Sequence, residues 1–294
     1  MGSGQIDFLG KRYFFFAISI LLTAWSIYLW VVQGEAKYGI DFRGGYELIV
    51  QADKTANAQE IRQVLEKGGF DDVLVQAFEA ASYEFAIRIP TNEGTGNLQD
   101  KILSELKGKY GSSLTISKSN FVGPTIGKEL RHKAMWAVGL GVLGILLYLT
   151  MRFEFAFALG AVVAVFHDVV ISTGVYLAAG HTVGMSTIAA ALTILGYSVN
   201  DTIVIFDKVR EELAKKGSYK LVDVLNDSIN SMLSRTIVTS GLTFISAIAL
   251  LVLGGGELSD LSLFLSAGIV CGTYSTIFIA SPVVLAWEQW RTRR

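Results

Sequence analysis

The chain has 294 residues and a formal net charge of −1, so no bulk electrostatic argument points to nucleic acid. Residues of the AVILMFWYC set make up 51% and charged residues 17%, and the charge is gathered in one stretch after the first apolar run, which excludes an ordinary soluble domain. Three prolines exclude a proline-rich linker, and the single cysteine, Cys271, excludes an intramolecular disulfide.

The first apolar run, Tyr13–Val32, follows Lys11 and Arg12 and carries Trp25 and Trp30. It is about twenty residues long, enough helix to cross the hydrocarbon. A cleaved signal peptide would have a shorter apolar region followed by a small-residue site, whereas this run ends in Val31-Val32-Gln33; it reads as a retained anchor. Residues 1–12 form a short tail before it.

Residues 33–131 change character to those of a folded extramembrane domain. Strands are predicted at Tyr46–Gln51, Val73–Phe78, Tyr83–Ile89 and Leu114–Ser117, and helices at Asn57–Lys67 and Gly96–Tyr110. The order βαββαβ predicts an α+β, ferredoxin-like split βαβ unit. That fold hosts many functions and names none. Exposed strand edges are its plausible binding surface. The pair Gly44-Gly45 predicts a backbone requirement, a turn or close approach that a side chain forbids.

Residues 132–290 predict five more spans, near Ala134–Met151, Phe155–Ala178, Val183–Phe206, Thr236–Leu253 and Leu261–Trp287. The fold class is therefore a polytopic α-helical membrane protein with six transmembrane helices and one α+β domain between the first and second. Backbone groups in lipid must bond within the segment, so the runs are helices. Their Gly, Ala, Ser and Thr content permits close helix approach. Cys271 lies in one of them and reads as a small packing residue. Lys11, Arg12, Arg152, the loop with Lys208, Arg210, Lys215, Lys216 and Lys220, and the tail 291–294 fall on one side; Gly180-His181-Thr182 and Gly254–Glu257 fall on the other. By the positive-inside rule both termini are cytoplasmic and the domain lies outside, in a bacterium in the periplasm. Segment 208–233 predicts an amphipathic cytoplasmic helix at the interface, with Leu221, Val224, Leu225, Ile229, Met232 and Leu233 on one face.

A charge at the bilayer centre costs about 2.5–3.5 kcal/mol, so intramembrane polar groups need a reason. Asp201 lies inside the fourth span, with Ser198 three residues earlier on the same face and Asn200 beside it. Arg235 opens the fifth span, with Thr239 one turn on and Ser240 next. The two spans run in opposite directions, which places Asp201 and Arg235 at similar depth. Such a pair reads either as a structural ion pair or as a proton relay in which Asp201 carries the proton and Arg235 is the counter-ion. His167-Asp168, near the middle of the third span, reads as a helix-packing hydrogen bond or as relay support; no matching ligands give it a metal. No nucleophile–base pair points to an enzyme.

Together these motifs are similar to the SecF family of bacterial protein-export membrane subunits, within the resistance-nodulation-division superfamily. The matching residues are Asp41-Phe42-Arg43-Gly44-Gly45, Gly123-Pro124-Thr125-Ile126-Gly127, His167-Asp168, Gly196-Tyr197-Ser198-Val199-Asn200-Asp201-Thr202 with its continuation to Glu211, and Ser234-Arg235-Thr236. The resemblance covers nearly the whole chain in order. It implies pairing with SecD into a pseudo-symmetric twelve-helix unit in the inner membrane, and association with the SecYEG channel. It further implies use of the proton-motive force to draw out a translocating polypeptide that SecA has pushed in. Protons would be the coupling ion and no other cofactor is implied. The family's proton-path carboxylate and arginine fall on Asp201 and Arg235, with Thr239 beside the latter. From the residues alone, six helices and one domain also look like half of a repeat-built transporter. A small-molecule or lipid exporter of the same superfamily and a passive scaffold of the channel are the rival readings.

Overall fold

The computed structural model describes residues 6–52, 56–70, 73–77, 83–90, 98–111, 114–216 and 220–293. The predicted strand ends at Phe78 and Tyr83, and the start of the helix predicted from Gly96, border or fall outside these residues.

Among the described residues, six helices are long and apolar enough to cross a membrane. The first is α1 (Arg12–Val32); after it a one-turn helix, α2 (Ile40–Arg43), leads into the sheet domain. The domain comprises β1 (Gly45–Gln51), α3 (Ala58–Lys67), β2 (Leu74–Ala77), β3 (Glu84–Ile89), α4 (Leu98–Tyr110) and β4 (Thr115–Val122). The sheet is antiparallel with order β2-β3-β1-β4, the arrangement of the split βαβ unit that the sequence predicts. Asn57 caps α3 by accepting from the Gln59 amide at 3.0 Å.

Alternation along the strands sends Leu48, Val50, Phe85, Ile87 and Ile89 to one face. There they pack with Ile61, Leu65, Ile102 and Leu106 of the two helices in a closed core. The other face carries Glu47, Gln76 and Arg88, and this polar face sits on the helical bundle.

The bundle continues with α5 (Pro124–Arg152), α6 (Phe155–Ala178), α7 (Met185–Lys216) and α8 (Leu221–Leu253). It closes with α9 (Gly256–Ser275), a π-helical turn at Thr276–Ala280, and α10 (Ser281–Thr292). Helices α6, α7 and α9 form its centre, where small residues permit close contact. A side chain at Gly174 would collide with Ser26 of α1, and one at Gly268 with Ile194 of α7; a Cβ on Gly272 would come within 3.2 Å of Ser198.

Three helices run ten residues or more past the predicted spans, among them α7, which continues from Phe206 to Lys216. Pro124 at the first turn starts α5 ten residues ahead of the predicted span, because nothing in Thr125–Lys133 breaks a helix. Of the segment 208–233 expected to lie at the interface, residues 208–216 form the end of α7, and 221–233 are continuous with the fifth span as α8. Its apolar residues Val224, Leu225 and Ile229 are buried against Leu9, Phe206 and Val209, so they find protein rather than lipid headgroups. Asn226 fixes this contact by accepting from the Phe8 and Leu9 amides, each at 3.1 Å.

Candidate functional site

The glycine motif is a joint between domain and bundle. Gly44 has φ 84° and Gly45 φ 139°, both in the region side chains avoid. A Cβ on Gly44 would stand 2.9 Å from the Pro124 Cα, and one on Gly45 would overlap the Ile89 carbonyl. Gly127 in turn packs on the backbone of Phe42 and Gly44. The two glycine-containing motifs, Asp41–Gly45 and Gly123–Gly127, are thus two sides of one backbone-to-backbone contact. Asp41 adds a longer tie: its Oδ2 accepts from the Met185 amide at 2.8 Å, capping the first turn of α7 from outside the helix.

Within the bundle the polar residues form two groups. In the first, Asp168 is wholly buried. Its Oδ2 accepts from Ser198 at 2.6 Å and from Ser275 at 2.7 Å, and its Oδ1 lies 3.0 Å from Nδ1 of His167. One carboxylate therefore joins α6, α7 and α9. Nε2 of His167 has no hydrogen-bond partner among the described residues, and its ring stacks on Tyr274.

The second group surrounds Asp201, which is 7% exposed. Its Oδ2 accepts from Ser240 of α8 at 3.0 Å. Arg235 is near enough to act on Asp201 electrostatically, yet no ion pair within 4 Å joins them; Arg235 stands on the exposed face of α8. Thr239 is also exposed, its hydroxyl donating back to the Arg235 carbonyl at 2.9 Å. Tyr197 of α7 donates to the Thr239 carbonyl at 3.3 Å, bridging the two helices. Asn200 is exposed on α7, beside a groove of about 460 Å³ lined by Gly141, Gly144, Tyr148 and Gly196. The sequence places Asp201, Arg235 and Thr239 on facing elements. The structure puts Ser240, one residue beyond Thr239, as the carboxylate's direct partner.

A third polar cluster has no signal in the sequence. Arg88 of β3 donates to Glu47 of β1 at 2.7 Å and reaches Asp260 of α9 at 3.4 Å. Asp260 Oδ1 lies 2.8 Å from Nδ1 of His181 in the loop between α6 and α7. Burial opposes the Arg88 charge, but the Glu47 and Asp260 carboxylates outweigh it and hold the guanidinium above its ordinary range. The only hints are an Arg on the strand face opposite the core and an Asp near the start of the last span.

Six apolar helices, carboxylates buried among four of them, and a sheet domain seated on one end define a multi-pass membrane protein with a ferredoxin-like extramembrane domain. The family profile described as "Protein export membrane protein SecD/SecF, C-terminal" matches residues 102–290, and that described as "SecD/SecF GG Motif" matches residues 37–56. The chain is 40% identical over 97% of its length to the protein translocase subunit SecF of Thermodesulfovibrio yellowstonii, covering 95% of that protein. With SecF of Petrotoga mobilis it shares 34% identity, covering 98% of each. The crystal structure of SecDF from Thermus thermophilus, described as a translocon-associated membrane protein, superposes with a TM-score of 0.87 at 36% identity; the match covers 98% of this chain and 39% of that one. The chain belongs to the SecF family, and it spans about two-fifths of the SecDF chain it matches.

Proposed function

We propose that this chain is the smaller half of a proton-driven protein-export unit in the bacterial inner membrane, with its termini cytoplasmic and its sheet domain periplasmic. The observation that carries this reading is the mismatch between two charges. Asp201 is enclosed against Ser240, while Arg235 stands on the outer face of a helix in the membrane-spanning bundle with no ion-pair partner within 4 Å among the described residues. An arginine facing hydrocarbon is costly, and a second half packed on α7 and α8 removes that cost. The relative named SecDF is a single longer chain, of which this chain covers 39%, and that extra length supports a SecD-like half as the neighbour.

In this reading Asp201 takes up and releases a proton, and Arg235 supplies the counter-charge at the interface between halves. Thr239 and Tyr197 hold the α7–α8 seam. One charge crossing 100 mV supplies about 2.3 kcal/mol, enough to bias a two-state arrangement of the outer domain. The work is drawing an exported polypeptide out of the SecYEG channel after SecA has pushed it in. The unit performs no bond chemistry and needs no cofactor other than protons.

The test is export into vesicles holding both halves, measured against an imposed proton gradient at matched protein levels. Asp201→Asn keeps size and hydrogen bonding but cannot carry a proton, so it inserts, binds its partner and loses gradient stimulation. Wild-type gradient dependence in that variant ends the proton reading, and gradient independence in the wild type leaves only a passive scaffold.

A further inference from the structure

The polar face of the sheet meets the bundle through groups that the proton path at Asp201 does not use. Arg88 bonds Glu47 and reaches Asp260, and its Nη1 donates to Oε1 of Gln76 at 3.1 Å. That bond fixes the Gln76 amide so that Nε2 points at His181, 2.7 Å from Nδ1 and 3.3 Å from Asp260 Oδ1. Asp260 Oδ1 stands 2.8 Å from the same imidazole nitrogen. Tyr176 of α6 stacks on the His181 ring with centroids 4.8 Å apart. The further charges around the cluster are Asp41, acting on Tyr176; Arg43 and Arg62, which line a cleft of about 200 Å³ with Arg88; and the exposed Lys118–Glu257 pair. Arg62 is engaged by Glu66 at 2.8 Å.

Nδ1 of His181 therefore faces a donor and an acceptor at once. In the neutral ring that carries its proton on Nε2, it accepts from Gln76 but opposes the lone pairs of Asp260. With a proton on Nδ1, in the other neutral tautomer or in the imidazolium, it donates to Asp260, and the Gln76 amide turns its donor to the same carboxylate. Charge separates these last two forms. One guanidinium faces two carboxylates, so the cluster carries one net negative charge while His181 is neutral and none once it is protonated.

We propose that His181, Asp260 and Arg88, bridged by Gln76, form a proton-binding latch, at which uptake of one proton on the domain side of the membrane seals the sheet domain onto the helical base. The latch goes beyond the Asp201 pathway, lying on different elements. The sign is fixed by the charge balance: acid favours the docked domain, and docking weakens as pH rises. A difference of one bound proton changes the docked-to-undocked ratio by up to about tenfold per pH unit.

The test uses the full chain with Cys271 replaced by alanine and spin labels at Lys101 on α4 and Leu258 on α9, with distances measured at pH 5.5 and 7.5. The expected result is one narrow docked distance at low pH and a growing second population at high pH. H181Q removes the response, and D260N broadens the distribution at both pH values. A wild-type distribution that is the same at both pH values overturns the latch, as does a response that survives in H181Q. If H181Q fails to fold, D260N decides, since it keeps the imidazole: a response of wild-type size there overturns the proposal equally.

Discussion

Two buried aspartates in one bundle are held in different ways. Asp168 has hydrogen-bond partners on three sides, from its own helix, α7 and α9, whereas Asp201 has one serine. A carboxylate that ties three helices together is a fastener; one that rests on a single hydroxyl is free to exchange partners. Asp168→Asn is therefore expected to lower the unfolding temperature in detergent, at a cost of about 1–3 kcal/mol from mismatched buried groups. Ser240→Ala is expected to leave assembly intact and to displace the pH profile of gradient-driven export, because it removes the one direct bond to Asp201. Arg235→Lys keeps the charge but not the planar donor fork, so partial export is expected, between wild type and Arg235→Ala.

Among the elements, the α2–β1 turn shows what a backbone contact is worth. Gly45 combines a positive φ with a close approach to the Ile89 carbonyl, while Gly69, at φ 86°, has open space around it. Gly69→Ala is expected to cost about 1–2 kcal/mol from conformation alone. Gly45→Ala adds a collision and is expected to cost more, with the sheet domain becoming sensitive to protease; chemical unfolding of the two variants side by side measures the difference. The helices and strands of this protein are legible in the chain because a twenty-residue apolar run has few alternatives and because Phe85, Ile87 and Ile89 recur at every second position. The start of α8 is not, since Val224, Leu225 and Ile229 have the same spacing whether they meet lipid or Phe206 and Val209. Arg88 and Asp260 are 172 residues apart and on unrelated elements, so no local pattern could announce their meeting. Asp201 and Arg235 stand out in the sequence because charge in an apolar run is rare. The identity of the hydroxyl that reaches Asp201 depends on the rotation of α8, which the sequence does not specify.

At the scale of the whole molecule, the proposed proton path requires a carboxylate inside the bundle to act on a domain at its end. Labelling of a cysteine at Lys101 from the outside of intact cells, with none at a cysteine in the last turns of α7, Glu211–Lys215, is the outcome expected for a periplasmic domain; the reverse pattern would invert the orientation. Arg88→Ala leaves Glu47 and Asp260 uncompensated at the junction and is expected to weaken docking of the domain by about 3–5 kcal/mol, read as faster proteolysis of the intact domain from its base. The bond from Asp41 to the Met185 amide has its own mechanical meaning. An α-helix is nearly inextensible along its axis, and Met185 and Asp201 are separated by roughly 24 Å of the same rod at 1.5 Å per residue. A piston stroke of α7 at the level of Asp201 therefore reaches Asp41 undiminished, and Asp41 is rigidly coupled through Gly44 and Gly45 to the first strand of the sheet. The motif from Asp41 to Gly45 is in this sense a tow-hitch: under the proposed function, cutting it by Asp41→Ala is expected to leave Asp201 able to exchange its proton while the domain no longer follows.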